Sequence, residues 1–290
     1  MFSLSFLAVA VLNGLSYGML LFLISAGLTL ILGLMNFVNL AHGSLFMLGA
    51  YVALSVMHWS GNFAVAAALA AFAVLAGGLV LEVFLLRPLY RRDFFDQVLV
   101  TFAIVLILSD VVRRTWGPAV LSIPEPLALS GTIHMFDVTY PIYRLFVAGF
   151  SLLVAVPLLC LQRFTLYGAI LRASVADQEM ASGLGINIRR VFSVVFGLGA
   201  FLAGLGGALG GPMVGLYPGM DTQWLIFSQV VIVLGGMGSV LGSLCGSLVI
   251  GLATSFGNAL MPRFSLFLVF AIMAIVLLVR PQGLFGKRLV

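Results

Sequence analysis

The sequence predicts an all-α polytopic membrane protein. Three observations predict this fold class: 62% of the 290 residues are hydrophobic, only 8% are charged, and the mean hydropathy is +1.23. Soluble domains carry about 25% charged residues, so this chain has too few polar groups to cover a globule in water. Its apolar runs are continuous rather than alternating, which excludes a transmembrane β-barrel. With about 20 residues per span, we expect about eight to nine transmembrane helices.

The first 81 residues contain no Asp, Glu, Lys or Arg and predict two spans, at about residues 7–32 and 42–57. The link between these spans carries three polar residues: Asn36, Asn39 and His42. Buried polar groups at membrane depth are costly unless they are paired or face a cavity. The link is therefore either a broken helix that lines a pathway or an ordinary turn at the interface. The first span adds a second candidate patch for the pathway lining, formed by Asn13, Ser16 and Tyr17.

The middle of the chain predicts three further spans, at about residues 63–86, 98–112 and 142–161. The loop at residues 116–141 contains four prolines and is too irregular to cross a membrane. Two carboxylates, Glu82 and Asp110, lie near span ends, beside Arg87 and Arg113 respectively. Ion pairing at the interface therefore explains both carboxylates.

The last third predicts a glycine-rich sixth span at about residues 191–214 and a last span at 265–279. Between them, residues 224–260 form an apolar run that is too long for one span and slightly short for two. Irregular backbone at membrane depth is tolerated only inside protein or beside a cavity, so this run predicts a broken or re-entrant pair. The break is a further candidate for the pathway lining, with residues Gly235, Gly236, Gly238 and Ser239.

The distribution of basic residues predicts the orientation. Ten of the fourteen Lys and Arg residues fall in the segments 87–96 and 163–190 and near the C-terminus. The positive-inside rule makes this side cytoplasmic, so the C-terminus is predicted in the cytoplasm and the loop 116–141 outside. The other side carries four arginines: Arg113, Arg114, Arg144 and Arg263.

The segment 163–190 is the longest polar interruption of the chain. The spacing of Ser174 and Asp177 predicts a capping box followed by a short helix at about residues 175–182. Gly183 or Gly185 suits the end of that helix, and Asn187 suits the start of the next one. A folded, charged segment on a mostly lipid-soluble chain indicates contact with a soluble partner.

Several motifs of catalysis and cofactor binding are missing from the sequence. The single lysine, Lys287, lies outside any G-x-x-x-x-G-K-[ST] pattern, so we expect no nucleotide site in this chain. The two cysteines have no C-x-x-C spacing, and the three histidines form no H-E-x-x-H, so no metal site is predicted. An intramembrane enzyme is therefore a poor interpretation.

Two sets of motifs resemble a known family. Glu179, Ala181 and Gly185 stand in a run that resembles the EAA-x3-G loop of ABC importer permeases, although the I-x-LP that follows it in that loop is missing. Over nearly the whole chain, several stretches look like the branched-chain amino-acid ABC permeases with the shorter, H-like subunit: residues 27–33, 39–51, 172–173, 184–187 and 235–239. The order and spacing of these stretches carry the resemblance.

The resemblance implies that residues 1–290 form a single permease domain in the bacterial cytoplasmic (inner) membrane and no enzyme. It implies a second permease subunit, two cytoplasmic ATPases that bind ATP and Mg, and an extracytoplasmic binding protein. The implied cargo is a branched-chain or hydrophobic amino acid, and close relatives transport urea or short amides. The implied ATPase-coupling residues lie in the polar segment: Arg172, Ala173, Asp177, Glu179, Ala181, Gly185 and Asn187.

One alternative stays open, a self-contained secondary transporter or channel for a small polar solute. The predicted break at residues 235–239 motivates it, because discontinuous helices form binding sites in such folds. A proton-coupled carrier would need an ionisable group near the midplane of the membrane, and the sequence places none there.

Overall fold

Eleven α-helices make up most of the chain that the computed structural model describes, which is residues 4–135 and 138–286. In chain order they are α1 (Leu4–Met35), α2 (His42–Ser60), α3 (Phe63–Leu81), α4 (Phe94–Trp116), α5 (Ile142–Phe164), α6 (Leu166–Ala176), α7 (Gln178–Gly183), α8 (Ile188–Gly210), α9 (Met220–Gly235), α10 (Val240–Leu260) and α11 (Ser265–Val279). The connecting elements are a π-helical turn (Glu82–Leu86), three 3-10 turns (Arg87–Arg91, Leu127–Leu129 and Pro262–Phe264) and the antiparallel strands β1 (Thr132–Met135) and β2 (Val138–Pro141).

Seven helical stretches in the described residues are long and apolar enough to cross a membrane, which confirms the all-α polytopic fold class. They are Leu4–Gly33, Phe63–Tyr90, Phe94–Trp116, Ile142–Phe164, Ile188–Gly210, Val240–Leu260 and Pro262–Val279. Helices α2 and α9 are not among them, so the predicted count of eight to nine spans is approximate. Lys287 and Arg288, which contribute to the predicted charge asymmetry, lie outside the described residues.

Close helix contacts at glycines build the centre of the bundle. A β-carbon on Gly18 of α1 would lie 2.7 Å from the carbonyl oxygen of Ser247 on α10. A β-carbon on Gly207 of α8 would lie 2.0 Å from the carbonyl oxygen of Phe46 on α2. Small residues let helix backbones approach where lipid offers no hydrophobic drive for association. α1, α8 and α10 are therefore packed helices, whereas α11 exposes most of its side chains.

The link between the first two predicted spans turns the chain back along α1. α1 ends at Met35, and the chain then turns back so that Nε2 of His42 lies 3.0 Å from the carbonyl oxygen of Ile24. Ile24 precedes the end of α1 by eleven residues (35 − 24), which is about 16 Å of helix rise. α2 therefore begins beside the interior of α1, about three helical turns before the end of α1.

The predicted break in the run 224–260 is also confirmed. α9 ends at Gly235 and α10 begins at Val240, so four residues of irregular backbone separate them. Gly236 and Gly238 have φ angles of 98° and 79°, a left-handed region that favours glycine. The predicted last span, 265–279, coincides with α11.

The two carboxylates near span ends are paired as expected, although one partner differs. Glu82 is fully buried and accepts from Arg87, with a 3.1 Å separation. Asp110 pairs with Arg114 at 2.8 Å, not with the neighbouring Arg113. Residues three and four positions apart are both neighbours on a helix surface, and here the pair four positions apart forms.

Candidate functional site

A cavity of about 690 Å³ opens between α1, α5, α9, α10 and α11. Its volume falls within the range of about 300–1,000 Å³ that is typical of small-molecule sites. Two of the predicted lining residues, Asn13 and Tyr17, contribute to its wall. The other lining residues are Phe6, Val9, Ala10, Arg144, Met213, Val214, Gln223, Phe227, Thr254, Ser255, Asn258, Ala259, Ser265, Leu266 and Val269.

The polar part of the wall is held together by Asn13. Its Oδ1 accepts hydrogen bonds from Nη1 of Arg144 at the start of α5 and from the hydroxyl of Tyr140, the latter at 3.2 Å. The hydroxyls of Tyr140 and Ser16 lie 3.2 Å apart. Ser16 is buried and stands behind the wall, so the predicted patch divides into two lining residues and one supporting residue.

An aromatic group forms the inner side of the cavity. The ring of Tyr17 lies 5.5 Å from that of Trp224 and 6.4 Å from that of Phe227, measured between centroids. Trp224 in turn stacks on Phe46 of α2 at 4.5 Å. Such pairs add to the stability that burial of the rings provides, and they link α9 to α1 and α2.

A buried carboxylate lies in the first turn of α9, three residues before Trp224. Asp221 is 1% exposed, and its Oδ2 accepts hydrogen bonds from the hydroxyls of Ser44 at 2.7 Å and Ser109 at 3.1 Å. Its Oδ1 accepts from the backbone N–H of Thr222. The carboxylate therefore ties together α2, α4 and the start of α9.

The other predicted pathway residues lie away from this cavity. Asn36 is exposed, with a φ angle of 47°, whereas Asn39 and His42 are buried and none of the three lines the cavity. In α10, the hydroxyl of Ser239 accepts from the backbone N–H of Gly242 and so caps the helix. The predicted lining set is thus split between the cavity, the α1–α2 link and the α9–α10 break.

The α9–α10 break lies at the opposite end of the bundle from the cavity. A β-carbon on Gly33, near the end of α1, would approach Gly238, whereas one on Gly14 would approach Leu252. α1 and α10 therefore run antiparallel, and the end of α1 lies beside the break. The chain after α11 also reaches the break, because the N–H groups of Leu284 and Phe285 donate to the carbonyls of residues 234 and 235 at 2.8 and 3.0 Å.

Gln162, near the end of α5, joins the break to the polar segment. Its Nε2 donates to the carbonyl oxygen of Gly238 at 2.8 Å, and its Oε1 accepts from the N–H of Val240 at 3.4 Å. Its own carbonyl oxygen accepts a hydrogen bond from the guanidinium of Arg172 on α6. The predicted coupling residue Arg172 is thus linked to the α9–α10 break through one intermediate residue, Gln162.

The polar segment is folded, but the predicted capping box is wrong. The structure has two helices, α6 and α7, separated by Asp177 in an extended conformation. Ser174 lies inside α6 and donates its hydroxyl to the carbonyl of Ile170, so it caps nothing. Asp177 is itself the N-cap, because its Oδ1 accepts from the N–H of Met180 at 2.8 Å. The helix predicted at residues 175–182 therefore begins at Gln178.

The end of this segment follows the prediction. Gly185 has a φ angle of 84° after α7, and Oδ1 of Asn187 accepts from the N–H of Arg190 at the start of α8. Ala181 is buried, whereas Glu179, Met180 and Leu184 are exposed, the last two by 64% and 75%. Ala173 is exposed as well. The segment therefore presents a mixed apolar and acidic surface at the end of the bundle opposite the cavity.

The fold and the site together define a multi-pass helical membrane protein with a cavity of mixed polar and apolar lining at one end and a folded helical segment at the other. Its sequence matches the model of the family described as the branched-chain amino acid transport system / permease component over residues 10–277. The chain belongs to this family.

Relatives from bacteria and an archaeon are similar to the chain over nearly its full length. The high-affinity branched-chain amino acid permease protein LivH of Escherichia coli K12 is 28% identical over 291 residues, 95% of this chain and 94% of LivH. BraD of Pseudomonas aeruginosa is 28% identical over the same shares of the two chains. LivM of Escherichia coli K12 is 25% identical, over 92% of this chain and 68% of LivM. No solved structure matches the chain.

Proposed function

We propose that this chain is one permease subunit of an ATP-driven importer for branched-chain or other hydrophobic amino acids. The family match over residues 10–277 carries the proposal. The substrate named for LivH and BraD supports the amino-acid cargo, and the similarity to LivM supports a second permease as partner. ATP and Mg would be bound by two separate ATPase subunits, and an extracytoplasmic protein would deliver the cargo.

The cavity and the polar segment lie at opposite ends of the bundle, which suits separate contacts with the cargo and with the ATPases. The cavity would receive cargo from outside, and α6 and α7 would meet the ATPases in the cytoplasm, with the C-terminus on the same side. The exposed surface at Glu179, Met180 and Leu184 is the part of the segment that a soluble subunit would contact. Movement of the segment would reach the α9–α10 break through Arg172 and Gln162.

Reconstitution tests this proposal. The chain is co-purified with its candidate second permease and ATPases, and ATP-dependent leucine uptake is measured in proteoliposomes supplied with the binding protein. Glu179→Ala and Gly185→Ala should weaken ATPase co-purification and uptake together. Glu125→Ala, an exposed glutamate in the loop 116–141, is the matched control and should change neither.

Three results would contradict parts of the proposal. Unchanged assembly and uptake in the Glu179 and Gly185 variants would remove the coupling role of the segment. Uptake by this chain alone, driven by an ion gradient without any ATPase, would support the secondary transporter that the broken helix α9–α10 also allows. Uptake of urea or a short amide in place of leucine would assign the other cargo class.

A further inference from the structure

A single type of charge faces the cavity. Among the described residues that line it, only Arg144 carries a formal charge. Its guanidinium donates one hydrogen bond to Asn13, and a guanidinium has five N–H donors. No Asp or Glu within residues 4–135 and 138–286 forms an ion pair with it.

The position of Arg144 makes an anionic partner favourable. A cation in a partly enclosed cavity is costly unless a counter-charge or a set of acceptors compensates it. The neutral amide oxygen of Asn13 compensates only part of this charge. A carboxylate that enters the cavity could accept two parallel hydrogen bonds from the guanidinium, the geometry in which arginine binds carboxylates most strongly.

The remainder of the wall suits an aliphatic side chain and offers little to a neutral polar solute. The apolar lining includes Val9, Met213, Phe227, Leu266 and Val269. The neutral polar groups include the amides of Gln223 and Asn258, which can accept from an ammonium group. An amino acid with a branched aliphatic side chain therefore finds a complementary group for each of its three parts.

We propose that Arg144 is the residue that selects solutes bearing a carboxylate, so that the cavity takes hydrophobic amino acids in preference to urea and short amides. This inference rests on the proposed function, because it assigns the cargo class of the same cavity. Asn13 acts as the positioning residue, since its amide oxygen holds the guanidinium against the start of α1.

Binding of matched probes to the assembled permease complex tests the selection. Saturation-transfer NMR compares leucine, 4-methylpentanoate, 4-methylpentanamide and urea, of which the second and third differ only in the carboxylate. The wild type should bind leucine and 4-methylpentanoate at least about tenfold more tightly than the amide, as expected for one charged hydrogen-bonded pair. Arg144→Gln should abolish this difference, and Arg144→Lys should keep part of it.

The variants are chosen so that loss of folding is not mistaken for loss of selection. Arg144→Gln removes the charge and keeps an amide N–H donor on a side chain two atoms shorter, whereas Arg144→Lys keeps the charge. Arg113→Gln is the matched control, because Arg113 is exposed near the end of α4 and does not line the cavity. It should leave the preference for the carboxylate unchanged.

Two outcomes would overturn the inference: equal binding of 4-methylpentanoate and 4-methylpentanamide by the wild type, or an undiminished preference in Arg144→Gln. ATP-driven leucine uptake by the same complexes separates this inference from the proposed function. If the wild type takes up no leucine, the proposed function fails. If the wild type takes up leucine and Arg144→Gln keeps the full preference, only the role of Arg144 fails.

Discussion

The hydroxyl of Ser44 donates a 2.7 Å hydrogen bond to the buried carboxylate of Asp221, although the two residues are 177 positions apart in the sequence. This bond joins the starts of α2 and α9, two helices that are not among the candidate membrane spans. A second hydroxyl, from Ser109 on α4, reaches the same oxygen. The contact therefore fixes both helices relative to α4, which is one of the candidate spans.

Replacing Asp221 with Ala should destabilise the protein markedly. The change leaves the buried hydroxyl of Ser44 without its acceptor, and an unsatisfied buried polar group costs about 1–3 kcal/mol. The apparent melting temperature in detergent should fall clearly. Asp110→Ala removes an exposed ion pair instead and should cost less than about 1 kcal/mol. Equal melting temperatures for the two variants would contradict a structural role of Asp221.

Gly207→Ala should destabilise the fold far more than the addition of one methyl group suggests. Its new β-carbon would lie 2.0 Å from the carbonyl oxygen of Phe46, a contact that forces α2 and α8 apart. Overpacking of this kind costs about 1–3 kcal/mol or more. Gly149→Ala on α5 is the control, because no atom lies within 4 Å of its new β-carbon. Thermal unfolding of the two variants in detergent should show a loss only for Gly207→Ala.

The sequence predicted features that depend on local patterns. A glycine-rich string inside an apolar run marks a break, and the chain breaks between Gly235 and Val240 as expected. Asn187 caps α8 because the capping bond spans only three residues. The predicted capping box is wrong because the same spacing of Ser174 and Asp177 also fits the end of one helix followed by the start of another.

The contacts that shape the cavity were not predictable in this way. A single arginine near the start of a span indicates topology, so the sequence assigns Arg144 only to the four basic residues on the outer side. Its place in the cavity depends on Asn13, 131 positions away. The pair Thr254 and Asn258, four apart and therefore on one face of α10, was the available signal for the far wall of the cavity.

Gln162→Ala should loosen the α9–α10 break without unfolding the bundle. The change removes the acceptor of the Val240 N–H and the donor to the Gly238 carbonyl. Hydrogen exchange at residues 238–242 should therefore become faster. Gln97→Ala is a matched control, because the Gln97 side chain holds the α1–α2 link by accepting from Val38. Its effect should be confined to that link, and faster exchange at 238–242 in this variant would contradict the assignment.

The two residues of the predicted capping box should differ in their response to replacement by alanine. Asp177→Ala removes the cap of α7, and loss of an N-cap costs about 0.5–2 kcal/mol of local helix stability. Ser174→Ala removes only a hydroxyl that bonds back to Ile170 within α6 and should have little effect. Hydrogen exchange at Met180 and Ala181 measures the difference. Equally fast exchange in both variants would support the predicted capping box and contradict the division into α6 and α7.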